Sequence, residues 1–129
     1  MSEAAGEALA EAAVAALRAL AGLTGVHEGR PLQAACPYAL VETGPELDWS
    51  HKSGAGREVR LAIVLRDRGE RPARLRALVA EADAAIEALA GEIGGWRLVT
   101  LRFTRGRLIA EARGEWAAIS EYRARLLKS

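Results

Sequence analysis

Cysteine is almost missing from this chain. The single residue, Cys36, excludes an intrachain disulfide and any multi-cysteine metal centre, and suits a reducing compartment. Histidine is nearly as scarce, with only His27 and His51 available for acid/base work or metal ligation. No charge of one sign dominates: 18 Lys and Arg face 17 Asp and Glu, a formal net charge of +1, so the overall basic excess of a dedicated nucleic-acid binder is missing. No apolar run approaches the roughly 18 residues that read as a transmembrane helix. The N-terminal segment carries Glu3, Glu7 and Glu11 where a secretion signal would carry bases, so it reads as a poor signal peptide. A soluble chain in the cytoplasm is expected. Aromatic residues are also few, three Trp, two Tyr and one Phe, so the core must be built mainly from Ala, Leu, Val and Ile.

What is present suits one domain over residues 1–129, with half of the residues hydrophobic and no repeat or low-complexity tract. Residues 3–21 read as a helix on the spacing Leu9, Ala13, Ala16, Leu20, with acids early and Arg18 late, as the helix dipole prefers. Residues 24–37, broken by Gly25, Gly29, Pro31 and Pro37, read as an irregular connection. A strand is expected over 38–43. The alternation of residues 57–67 is the clearest strand signal in the chain, with Val59, Leu61, Ile63 and Leu65 on one face. Pro72 then opens a second helix over 72–89, whose stripe is Leu75, Val79, Ala82, Ile86 and Leu89. Residues 96–104 predict a strand, Arg105–Gly106 a tight turn, and 107–112 a returning strand. Residues 115–127 fit two periods. Trp116, Ala118, Ser120, Tyr122, Ala124 and Leu126 alternate as in a strand, while Trp116, Ile119, Arg123 and Leu126 fit a helix. The turns just before favour a strand. The expected fold is α+β: a largely antiparallel sheet of four or five strands with two helices on one face.

The polar stretch 44–56 is the most distinctive. It holds Asp48, Trp49, His51 and Lys52, adjoins Arg57, and lies between strong strand signals. A loop that long in a compact domain is usually functional or disordered. Its chemistry is thin. Asp48 and His51 lack the further ligands that a metal site needs and the fixed geometry that an acid/base pair needs. Gly54–Ala55–Gly56 leads into a strand rather than the helix N-terminus of a phosphate cradle. Cys36 has no identifiable base and reads as a small buried residue. Ser50–Arg60 and Arg102, Arg105 and Arg107 could make local basic patches, but Glu42, Asp48 and Glu58 dilute the first. No catalytic residue, cofactor or metal is expected. Trp49 suits an interface anchor or a side chain folded back on the sheet. Contact, not catalysis, is the indicated role. The alternatives are a small homo-oligomeric enzyme or ligand-binding domain, centred on His51, and a nucleic-acid-binding module.

The run from Pro37 to Ile86 resembles the tail-completion, or tail-terminator, proteins of long-tailed bacteriophages and phage-like gene transfer agents. The matching features are Pro37–Tyr38 at a strand entrance and the pattern D-W-x-x-K-x-G-x-G-x-E, here Asp48, Trp49, Lys52, Gly54, Gly56 and Glu58. The Gly-Trp-Arg-Leu-Val segment at 95–99 resembles the entry to that family's final strands. The closing segment is richer in helix formers than the family's usual last strand. The resemblance implies a subunit of a ring, typically a hexamer, at the head-proximal end of the tail. There it would stop polymerisation of the tail-tube protein, receive the head-tail connector (stopper) protein, and let DNA pass through its channel without specific binding. It also implies an assembly surface at Asp48, Trp49, His51, Lys52 and Arg57.

Overall fold

The computed structural model describes residues 4–129. Its chain order is α1 (Ala5–Arg18), β1 (Gly25–Glu28), β2 (Tyr38–Asp48), β3 (Gly56–Arg68), α2 (Ala73–Glu87), β4 (Gly91–Ile93), β5 (Trp96–Ala110) and β6 (Glu115–Lys128). The six strands form one sheet in the order β1-β2-β3-β6-β5-β4. All pairings are antiparallel except β1 with β2. The fold is therefore α+β, but the sheet is mixed and six-stranded rather than four- or five-stranded.

The two extra strands are short, which is why no periodicity revealed them. β1 arises within the expected irregular connection. Its one buried apolar residue is Val26, and the Thr24 hydroxyl pins its entrance by donating to the Pro37 carbonyl at 2.8 Å. β4 has three residues and begins at Gly91, whose φ is +80°. Cys36 in the same connection is half-buried rather than buried.

Both helices pack on one face of the sheet. α1 presents Ala5, Ala8, Leu9, Ala13 and Leu17, and its small alanines allow close approach to the strands. Position 3, where the helix was expected to begin, lies outside the described residues. α2 buries Leu75, Leu78, Ala82 and Ile86, while Val79 of the expected stripe is half-buried. Against them lie Val59, Leu61, Ile63 and Leu65 of β3, each at most 2 % exposed, as the alternation required. β6 supplies Ala118, Tyr122, Ala124 and Leu126 to the same cluster, which resolves its two candidate periods in favour of the strand. Burial on an extended β6 outweighs the helix propensity of Ala, Glu, Arg and Leu.

The expected turn at Arg105–Gly106 does not exist. β5 continues through it for 15 residues, with register shifts between Leu98 and Thr100 and between Phe103 and Arg105. Thr104 is the extra residue of the second bulge, and its hydroxyl donates to the Glu121 carbonyl at 3.0 Å. The reversal comes later, at Ala112–Gly114, where Arg113 and Gly114 take positive φ. Likewise β2 does not stop at position 43. Gly44 and Pro45 form a bulge between Thr43 and Glu46, and the strand resumes. Proline is tolerated there because that stretch of β2 is an edge.

Candidate functional site

The expected long loop at 44–56 is mostly strand. β2 and β3 form a projecting hairpin, and only residues 49–55 turn the corner. Trp49 N–H donates to the Gly56 carbonyl at 2.9 Å and closes the base. His51 and Gly54 exchange backbone bonds at 2.9 and 3.1 Å, making a small second turn at the tip. The Ser50 hydroxyl accepts from Gly56 N–H at 3.1 Å and donates to the Asp48 carboxylate at 2.6 Å. β6 also holds the tip, since Lys128 N–H donates to the Ala55 carbonyl at 2.8 Å.

The predicted site residues are thus brought together, and most have partners within the hairpin. Asp48 accepts from Ser50, which lowers its pKa first, with help from the Arg57 guanidinium at 3.5 Å. Arg57 also lies 4.0 Å from Glu46. Trp49 is half-buried: Arg125 stands over its ring at 5.5 Å, and His51 meets it edge-on with centroids 4.6 Å apart. The tryptophan has folded back on the sheet. His51 and Lys52 are exposed at the tip. Asp48 is engaged with Ser50 and Arg57 while His51 packs on Trp49, so the hairpin gathers them as a structural unit. Among the described residues no group of three His, Cys, Asp or Glu could hold a metal ion.

The face of the sheet opposite the helices is rich in arginine. Its centre is apolar, where Leu40, Val64 and Ala117 are buried. Around them run ion pairs: Arg66–Glu111 at 2.5 Å, Arg68–Glu115 at 2.7 Å, Arg105–Glu121 at 2.9 Å, and Glu58 between Arg125 at 3.0 Å and Arg123 at 3.9 Å. Arg60, Arg102 and Arg107 have no carboxylate partner among the described residues. A cleft of about 440 Å³ reaches from Glu42 and Pro45 on β2 to Thr104 and Arg105 on β5 across the two strands between them, so the sheet curls toward this face.

Sequence reading missed the sorting of charge. β5 and β6 carry Arg97, Arg102, Arg105, Arg107, Arg123, Arg125 and Lys128 against only Glu115 and Glu121, a surplus of five in a chain of net +1. The arginines of β5 were visible, but the false turn at 105–106 divided them between two strands. With β5 continuous, they form one row.

Comparison with known proteins gives this geometry a setting. The family profile for tail completion protein gp17 matches residues 7–127, nearly the whole chain. Among 25 matching solved chains, one from a structure described as the virion of a native gene transfer agent (GTA) particle is 28 % identical. The match covers 98 % of this chain and 99 % of that one, with a TM-score of 0.76. No curated protein matches. A profile matched from the first helix to the last strand shows that the chain belongs to the tail completion protein gp17 family, a family of phage-type tail structural proteins.

Proposed function

We propose that copies of this chain close head-to-tail into a ring, of six by the family resemblance, at the head-proximal end of a phage-like tail. The ring ends growth of the tail tube, receives the head connector, and leaves a channel for DNA. Assembly takes place in the bacterial cytoplasm before the particle is released. The observation that carries this reading is the end-to-end structural match to a chain of a gene transfer agent virion.

Physical features support it. Ring closure needs two different patches on each subunit, and this chain is electrically lopsided in the required sense. Five arginines on the face opposite the helices are held by glutamates, Arg123 and Arg125 sharing Glu58, which reduces the number left free for phosphate and suits DNA that slides, because every free phosphate contact adds salt-dependent affinity. The hairpin tip with Asp48, Trp49, His51, Lys52 and Arg57 serves as an assembly surface. Exposed His51 and Lys52 meet the partner, while Trp49, Asp48 and Arg57 keep the tip in shape.

The test is removal of the gene from a producing cell, followed by electron microscopy of the particles. Tails of unregulated length, separated from filled heads and corrected by a plasmid copy, are expected. Normal joined particles without the chain would overturn the proposal.

A further inference from the structure

The outer strands leave two long backbone edges open. β4 covers only Trp96 to Leu98 of β5, so among the described residues no strand pairs with residues 99–110 on that side. β1 covers only Tyr38 to Val41 of β2, so none pairs with residues 42–48 there either. Such edges are templates for pairing with another chain. Long parts of them are exposed: residues 102–107 of β5 and 42–48 of β2 are open to solvent without interruption.

Their charges are opposite. The β5 edge carries Arg102, Arg105 and Arg107 and no acid; the β2 edge carries Glu42, Glu46 and Asp48 and no base. The exposed apolar side chains follow the same edges. Of the four large ones among the described residues, Leu47 (54 %) lies on β2, and Val99 (42 %) and Phe103 (47 %) lie on β5. Surface exposure of Leu, Val and Phe concentrated on two pairing edges marks contact surface rather than scatter.

We infer that neighbouring copies join edge to edge, the β2 edge of one pairing antiparallel with the β5 edge of the next, so that the sheet runs on across the subunit boundary. This rests on the ring reading above. The direction follows from the topology. In the order β2-β3-β6-β5 each neighbour is antiparallel, so β2 and β5 run oppositely. Continuing the sheet in the same sense therefore gives an antiparallel junction with the helices kept on one side. The charges select the partner. A β5–β5 or β2–β2 contact would set like charges opposite one another, which is destabilising, whereas β2–β5 pairs unlike charges. That contact is heterologous, and heterologous contacts make rings when the rotation closes.

Two measurements test this in producing cells that lack their own copy, using the full chain. Arg102→Glu with Arg107→Glu reverses residues that have no carboxylate partner among the described residues, and Glu42→Arg reverses one acid of the opposite edge that makes no ion pair among them. Each set alone should lower the yield of joined particles more than about tenfold. In a Cys36→Ser background, Glu42→Cys is then combined in turn with Arg102→Cys, Arg105→Cys or Arg107→Cys. Within one copy β2 and β5 are three strand spacings apart, roughly 14 Å, too far for a disulfide. Oxidised particles should therefore show a ladder of linked multimers for at least one pair. Assembled particles with no ladder from any pair, or edge reversals without effect, would overturn edge pairing and leave the ring reading standing. Normal particles from cells lacking the chain would overturn the ring reading itself.

Discussion

Replacing Gly56 with alanine places a methyl group where the chain has no room. Gly56 begins β3 at the base of the hairpin, and a Cβ there would lie 2.3 Å from the Trp49 carbonyl oxygen and 3.0 Å from a Leu127 methyl. The first contact is with backbone and cannot be relieved by a rotamer change. Restoring an ordinary separation requires the two strands to part by about 1 Å at the point where Trp49 N–H donates to the Gly56 carbonyl and Gly56 N–H donates to Ser50. Loss of both bonds costs about 2 kcal/mol. Strain against Leu127 adds about 1 kcal/mol or more. The stiffer unfolded chain gives back about 0.4–1 kcal/mol, since Gly56 does not need a left-handed backbone. The net is about 2–3 kcal/mol of destabilisation, a fall in Tm of roughly 6–12 °C for a chain of this size. Thermal unfolding by circular dichroism measures the stability, and hydrogen exchange at Trp49 and Gly56 reports the hairpin base. An unchanged or raised Tm would mean that the close approach is not real and that only the entropic term remains.

Three further outcomes follow from named contacts. Asp67, 4 % exposed, accepts from Arg74 Nε at 2.8 Å and from Arg68 N–H at 2.8 Å at the junction of β3 with α2, and the Arg74 hydrogen bond chiefly lowers its pKa. A carboxyl with a lowered folded pKa stabilises above its unfolded value near 4 and loses that contribution as pH falls through the folded value. Asp67→Asn should therefore lower the urea midpoint at pH 7, and the gap from the parent should close below about pH 4. Buried Tyr122 donates to Asp83 on α2; burial first, then that bond, keeps its phenol protonated well above the usual tyrosine range. Tyr122→Phe should cost about 1–2 kcal/mol, and absorbance titration should show one of the two tyrosines ionising only in strongly alkaline solution. At the hairpin tip, Lys52→Glu should leave the Tm within about 1–2 °C, since exposed substitutions rarely matter to stability, yet reduce joined particles in complementation; full complementation would remove Lys52 from the assembly surface.

Long, strictly alternating or helical segments were legible in the chain because burial imposes their period. Val59 to Leu65 and the Leu75, Ala82 and Ile86 stripe fall where their spacing puts them. Apart from the two short strands, the misplaced strand ends share one cause. Glycine and proline were read as punctuation, whereas at Gly44–Pro45 and Gly106 they sit inside strands. A bulge needs the same residues as a turn, and only pairing across the sheet tells them apart. At Gly106 the Phe103 ring lies over the missing side chain, with 3.1 Å between its Cζ and an added Cβ, which covers the gap a glycine leaves in a strand. The site was legible in part. Asp48, Trp49, His51, Lys52 and Arg57 do gather at one tip, but the opposite charges of the two edges follow only from the continuity of β5.

The bulges also bear on why such an edge-pairing chain would close rather than grow without limit. A flat sheet with complementary edges would extend into a filament. β2 and β5, the strands at the two open edges, are both bulged, β2 at Gly44–Pro45 and β5 at Val99 and again at Thr104. A bulge bends its strand and increases the local twist. The cleft on the arginine face runs between the Gly44–Pro45 and Thr104 bulges, which places the curl of the sheet there. In the edge pairing proposed above, curvature built into every copy would accumulate with each added subunit and favour closure over a straight filament. The residues that look like breaks in the sequence would then help to set how many copies complete a turn. Replacing Pro45 and Gly44 together with residues that extend the strand should flatten the hairpin and shift the assembly toward larger or open forms, read by mass photometry of purified collars. Collars of unchanged mass would place the source of curvature elsewhere.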